Sequence, residues 1–432
     1  MNGRSTTGVF ARMAAQPLFM CGFRPFFLAA AVYGAVLLPL WLGYLGAGLA
    51  LPAVPGGPVV WHAHELMFGF GLAAVAGFVL TAVPEFTATA PFGRGTTLGL
   101  ALLWLAARLA FWSSGSLGAA GQWLAALLDA GFAAALPLAV ARRLWRDPAR
   151  RHRGFLWGLA AMAATVAGFQ ADVLRGLYPM RWLVAAVGVM MVLIVVAMSR
   201  ISMRIVNDAL DAQRRRRDAE DGEADDLPAY RARPPRRNLA IFAISLCTAG
   251  GLLAIPPAVA GWLALAAAAA VLNLLNDWHV GRALLSRWAF LLYMVYWLMA
   301  LGYGLLGLAQ LGAPVAAGAG LHVLTVGAMG LSILAVLCIA GRTHAGLPLD
   351  GRPWVMLAAA AIGVAAAVRA AAGMTGLPAG WPLPLLAAGG TAWALAWGLA
   401  AARLAGVFVR ARSDGGSGCE EASAAAGDVL SP

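Results

Sequence analysis

The chain has 432 residues, of which 61% are hydrophobic and only 12% charged, with 52 Gly, 16 Trp and a mean hydropathy of +0.78. Soluble chains carry about 25% charged residues, so half that share cannot coat a water-borne domain, and the composition points to a polytopic membrane protein. The net charge of +12 would fit nucleic-acid binding in a soluble protein, but every basic residue here is Arg and nearly all lie between apolar runs, which makes them topology signals.

The N-terminal stretch through the GFRPFF segment (Gly22 to Phe27) lacks a short apolar core followed by a small-residue cleavage site, and is expected to be retained. A bilayer core about 30 Å thick needs ~20 apolar residues per helix, and breaking the chain at its polar and Pro/Gly interruptions predicts an all-α bundle of about twelve spans. Six fall at 25–49, 61–83, 97–114, 119–141, 154–172 and 181–199, making residues 1–199 a first half. Residues 200–238 mix the run Arg214 to Arg217 with the six acids from Asp218 to Asp226 and read as a charged, solvated linker. A second half, 239–408, holds spans at 239–255, 257–276, 288–311, 319–340, 354–374 and 382–408. Only Ile255-Pro256-Pro257 separates the first two of these, which predicts either a tight hairpin or a kinked pair. Residues 409–432 read as a disordered tail. No convincing repeat relates the halves. Cys21, Cys247, Cys338 and Cys419 are far apart without CxxC spacing and imply neither a disulfide framework nor a thiolate metal site.

Arginine placement orients the bundle. With the N-terminus inside, the outer loops hold only Arg175 and Arg181, while inner segments hold Arg4, Arg12, Arg24, Arg94, the Arg142 to Arg153 cluster, ten Arg from Arg200 to Arg237, and later Arg282, Arg287, Arg342, Arg352 and Arg403 to Arg412. Basic loops stay cytoplasmic, so both termini are expected there.

Ionisable groups inside a bilayer cost about 2.5–3.5 kcal/mol even on insertion scales, so each needs a partner or a role. Arg108 in the third span and Asp129 in the fourth lie at similar depth and are expected to pair. Arg369, in the outer third of the eleventh span, has no obvious acid and calls for an anion, with Glu65, Gln170 and Asp172 on the same side. Three histidines sit at that outer face: His62 and His64 in WHAHELMFGF, and His322 in LHVLTVGAMG. His279 and His344 fall at inner ends, and His152 in a solvated loop. Neutral imidazole is the commonest transition-metal ligand, and a carboxylate such as Glu65 can orient its second nitrogen. Met67 and Met329 lie on the faces of His64 and His322, where thioether sulfur suits copper but is more often packing.

The segments GFRPFF, WHAHELMFGF leading to FVLTAVP (Phe78 to Pro84), LAARLA around Arg108, LHVLTVGAMG and, more weakly, GRTHAGLPL with His344 together resemble the NnrS family of bacterial membrane proteins. That resemblance implies a multi-pass protein of the bacterial inner membrane, binding haem and copper and tied to nitric oxide and nitrosative stress. Carried over, it makes His62, His64, His322 and His344 the metal-ligand candidates, with His64, His322, Arg108 and Arg369 around a haem. Two positions depart from the family pattern: SRISMRIVNDAL after the sixth span, and Tyr293 where a His is expected. Lipid is the expected environment and nitric oxide the expected ligand, with no nucleic-acid partner. The competing reading is a twelve-helix secondary transporter of a small anionic or metal-linked solute, whose plan fits a polar loop after span six. A haem-copper reductase core is rejected, since it needs about six intramembrane histidines.

Overall fold

The computed structural model describes residues 6–148, 150–221, 229–378, 380–412, 414–416 and 418–419. These form an α-helical bundle: α1 (Thr6–Ala14), α2 (Phe23–Ala47), α3 (Gly57–Phe86), α4 (Arg94–Ser113), α5 (Gly118–Arg146), α6 (Arg153–Leu174), α7 (Met180–Asp221), α8 (Pro234–Leu252), α9 (Pro257–Leu274), α10 (Arg287–Gln310), α11 (Ala317–Thr343), α12 (Trp354–Ala371) and α13 (Pro382–Val409). Ala and Leu dominate their interiors, and without water in the bilayer each backbone group must find its partner within its own helix.

Among the described residues eleven of these helices are long and apolar enough to cross a membrane. The expected span at 239–255 is the exception. Helix α8 spends its first turn on Pro234, Pro235, Arg236, Arg237 and Asn238, so its apolar part, 239–252, is only about 21 Å long. The choice between hairpin and kinked pair resolves as two helices: α8 stops at Leu252, Ala254 takes the left-handed conformation at φ 50°, and Pro257 starts α9, where a missing N–H costs nothing. The polar stretch after residue 199 begins as helix, because α7 runs on to Asp221. Residues 222–228 of that stretch lie outside the described residues, as does the tail from 420 onward.

The chain divides into two compact units. Unit 1 comprises Met1–Leu183, Val336–Ala358 and Trp393–Pro432; unit 2 comprises Val184–Ala335 and Ala359–Ala392. Within unit 1, α2 packs on α3, and α4, α5 and α6 follow one another as neighbours. Within unit 2, α8, α9, α10 and the first part of α11 pack in sequence. The sequence reading of the cysteines is corrected in unit 1: Cys21 and Cys419 are joined in a disulfide, with Cα atoms 5.4 Å apart. The pair is 398 residues apart in sequence, so no spacing rule could reveal it. Among the described residues of the tail several are packed in. Arg412 is buried and donates to His344 O and to the Asp414 carboxylate, and Gly418 and Cys419 are buried.

Two helices differ from the rest. In α3 the seven residues Glu65–Gly71, and in α11 the seven residues Val323–Met329, are wound as π-helix. These are also the most enclosed of the apolar helices, 83% and 78% buried over their central windows against at most 67% elsewhere. A π turn widens the helix by one residue per turn and is found mostly at functional positions. In each case the residue before the π segment is a candidate histidine, His64 or His322.

Candidate functional site

In unit 1 the π segment of α3 opens a buried ionic network. His64 and Glu65 are adjacent and both 0% exposed, which an apolar interior tolerates only if their polar atoms are matched. Glu65 Oε1 accepts from Arg108 Nη1 at 2.9 Å and from His64 Nδ1 at 2.8 Å. Its Oε2 accepts from Trp112 Nε1 at 2.9 Å and from the Tyr33 hydroxyl. Arg108 Nη2 pairs with Asp129 Oδ1, so the expected ion pair between α4 and α5 is present. Asp129 Oδ2 accepts from Gln170 Nε2 at 2.8 Å, and His64 Nε2 lies 3.2 Å from the same oxygen without hydrogen-bond alignment. One guanidinium thus bridges two carboxylates, and side chains from α2 through α6 converge on them.

Close helix approach makes this possible. A Cβ on Gly69 would stand 2.5 Å from Tyr33 Cε1 and 3.4 Å from Arg108 Cδ, and the buried backbone oxygen of Gly69 accepts from Trp104 Nε1 at 3.1 Å. Any side chain there would displace the aromatic ring that donates to Glu65.

In unit 2 the surroundings of His322 are different. Its Nδ1 lies 2.6 Å from Gly318 O. A carbonyl can only accept, so Nδ1 carries the proton, and the neutral form of the ring presents Nε2 with a free lone pair. The guanidinium of Arg369, on α12, reaches the same turn: its Nη2 is 3.9 Å from where a Cβ on Gly318 would be. Short backbone ties hold α11 and α12 together here, Ala316 N to Gly373 O at 2.9 Å and a bridge between Val315 and Met374. Gly320 completes the approach to α10, since a Cβ on it would sit 2.7 Å from Gly302 O. No acid is recorded against Arg369 among the described residues.

The remaining candidates stand apart. His62, two residues from His64, points elsewhere, because two residues on a helix differ by about 200°. Its ring stacks on Trp41 at 4.5 Å between centroids. His344 follows α11, with Nδ1 2.8 Å from Cys419 O and Nε2 3.4 Å from Glu85 Oε2. Glu85 is 21 residues beyond His64 on α3, so His344 and His64 are separated by about 30 Å. Asp172, offered as a partner for Arg369, is taken by Arg181 at 2.7 Å and Trp182 at 2.9 Å. Glu65 and Gln170, offered likewise, belong to the Arg108 network.

A haem needs an imidazole nitrogen with a free lone pair, an open face beside it, and cations for two propionates. His64 does not fit: both nitrogens face carboxylates and the ring is stacked on Phe111 at 3.5 Å. His322 meets the first of these, with Nδ1 fixed by a carbonyl in the way that ligating histidines are held, and has one cation, Arg369, alongside. Among the described residues no three His, Cys, Asp or Glu side chains are arranged to hold a metal ion.

Sequence reasoning missed the hub role of Glu65 and the contributions of Tyr33 and Trp112. Their only signal was a polar tip in an apolar run. It also missed the π segments, each following a histidine.

Among the described residues eleven apolar helices, two of them with a π segment that follows a histidine, define a polytopic α-helical membrane protein embedded in a lipid bilayer. The chain belongs to the NnrS family: the family model described as NnrS protein matches residues 17–412 of the 432. No curated protein matches the chain.

Proposed function

We propose that this NnrS-family protein binds haem through His322 in the bacterial inner membrane and serves the response to nitric oxide and nitrosative stress. The observation that carries the haem assignment is the His322 ring, with Nδ1 committed to Gly318 O at 2.6 Å and Arg369 on the same turn. Bound there, haem iron would supply a centre at which a small gas can bind or an electron can be exchanged. The protein's own part is to orient the imidazole, to neutralise a propionate with Arg369, and to keep the surrounding helices dry. The resemblance through WHAHELMFGF and LHVLTVGAMG supports the nitric-oxide role. It also implies copper, for which we assign no ligands.

The test is cofactor content in membrane-inserted protein expressed with haem available. His322→Ala loses most of its haem, while His152→Ala keeps it. Arg369→Lys keeps the charge but loses the planar fork that grips a carboxylate, so it retains haem less well with insertion unchanged. Full haem in His322→Ala removes that residue from the site, and an intact Arg369→Gln spectrum removes the arginine.

One observation favours the transporter reading, that of a small anionic or metal-linked solute: each compact unit contains an interrupted helix, α3 or α11, and discontinuous helices line substrate sites in transporters. Colourless protein that accumulates such a solute in liposomes would put this reading first.

A further inference from the structure

A cavity of about 290 Å³ in unit 1 is not used by any of the chemistry above. It lies where α3 ends and α5 ends, and is lined by Thr87, Thr89, Ala90, Arg142, Arg143, Arg146, Asp147 and Pro148. Three guanidiniums against one carboxylate leave it with a formal charge of +2. We propose that this cavity binds the phosphate of an anionic phospholipid headgroup from the cytoplasmic leaflet.

The arginines divide the work. Arg143 is fixed: its Nη1 donates to Thr89 Oγ1 at 3.0 Å and to Ala90 O, and its guanidinium lies 4.0 Å from the Phe92 ring centroid. Arg142 and Arg146 are one helical turn apart on α5, so they share a face. Both are exposed, and among the described residues neither has an acidic or hydrogen-bonding partner. Thr87 and Thr89 add hydroxyls at the same rim, hydrogen-bonded to each other at 3.0 Å. Guanidiniums and hydroxyls around one concavity suit a tetrahedral oxyanion, which accepts at several oxygens.

The position favours a lipid phosphate over a soluble one. Leu138, on the preceding turns of α5, is 74% exposed and can only face acyl chains in a membrane-embedded helix. Trp145, between Arg142 and Arg146 in sequence, is 56% exposed, and Arg153 lies 4.6 Å over its ring. Exposed Trp marks the headgroup level, and the arginine cluster marks the cytoplasmic side. Basic pockets between helices at that level capture anionic headgroups.

The test uses the full chain in detergent micelles, titrated with phosphatidylglycerol or phosphatidylcholine and followed by native mass spectrometry. Inorganic phosphate is added as competitor in a second arm. Bound phosphatidylglycerol should exceed bound phosphatidylcholine. Arg142→Gln with Arg146→Gln should weaken phosphatidylglycerol binding by about thirtyfold, the effect of two charges at a membrane surface. Arg142→Lys with Arg146→Lys should retain binding, and millimolar phosphate should not displace the lipid. Equal binding of the two lipids by the wild-type chain overturns the proposal whether or not the glutamine variant folds. Displacement by phosphate at concentrations that leave the lipid free in solution overturns the lipid source.

Discussion

At the scale of single residues, the Arg108 network shows how far charge alone can be read. An intramembrane Arg and an intramembrane Asp at one depth predicted each other, and Arg108 and Asp129 do pair. What depth could not reveal is that Arg108 is divided between two carboxylates, with His64 drawn in as a third neighbour. Removing one partner of a buried pair strands the other, at a cost of about 3–5 kcal/mol. Asp129→Ala is therefore expected to lower unfolding stability in micelles by that order, measured by thermal denaturation. Asp211→Ala, which breaks a partly exposed pair with Arg214, should change it by no more than about 1 kcal/mol. Comparable losses in the two variants would show that the network contributes nothing special. Arg369 was legible as a charge in need of an anion, and the residues once offered to meet it are engaged elsewhere.

Elements were legible by apolar length and by proline, and less so by winding. The break at Ile255-Pro256-Pro257 follows from missing donors, and the shortfall of α8 from two arginines in its first turn. The π segments have no comparable signature, since the same residues would build an ordinary α-helix, and in α3 the widening accompanies a close approach of Tyr33 to Gly69. Gly69 tests that account. Gly69→Ala should destabilise by about 1–3 kcal/mol through overpacking against Tyr33. Gly99→Ala, where nothing lies within 4 Å of the new Cβ, should be neutral or stabilising. Equal behaviour of the two would deny the close approach.

The loop between α11 and α12 gives a second element-scale prediction. Asp350 is buried there and accepts from Arg352 Nη2 at 2.6 Å and from Trp354 Nε1 at 2.9 Å. Hydrogen bonds from Arg352 hold its carboxyl well below the usual carboxylate range, against the opposing effect of burial. A depressed folded-state pKa gives stability that is fully present above the unfolded value, about 4, and lost as pH falls toward the folded one. Wild type should therefore melt above Asp350→Asn at pH 7 by a margin that persists to about pH 5 and narrows below about pH 4. A margin independent of pH would assign the difference to packing.

At the scale of the whole molecule, composition established a polytopic helical bundle, and motif content established the family. The disulfide between Cys21 and Cys419 was invisible because its partners meet only through the folded chain. Orientation rests on the arginine count, and its weakest step is α8. Reporter fusions at Asp221 and after Arg412 are expected to read cytoplasmic together. An external reading after Arg412 alone would mean that α8 does not cross.

We propose that the polar resources of the two units have different uses: His64 closes an internal charge network, and His322 is left to ligate haem. Titration of the haem-free purified protein with haem, followed by its Soret absorbance, tests this most directly. Wild type and a folded His64→Gln variant should each saturate at one haem per chain, while His322→Ala shows no saturable band. Saturable binding retained in His322→Ala and lost in His64→Gln would contradict it.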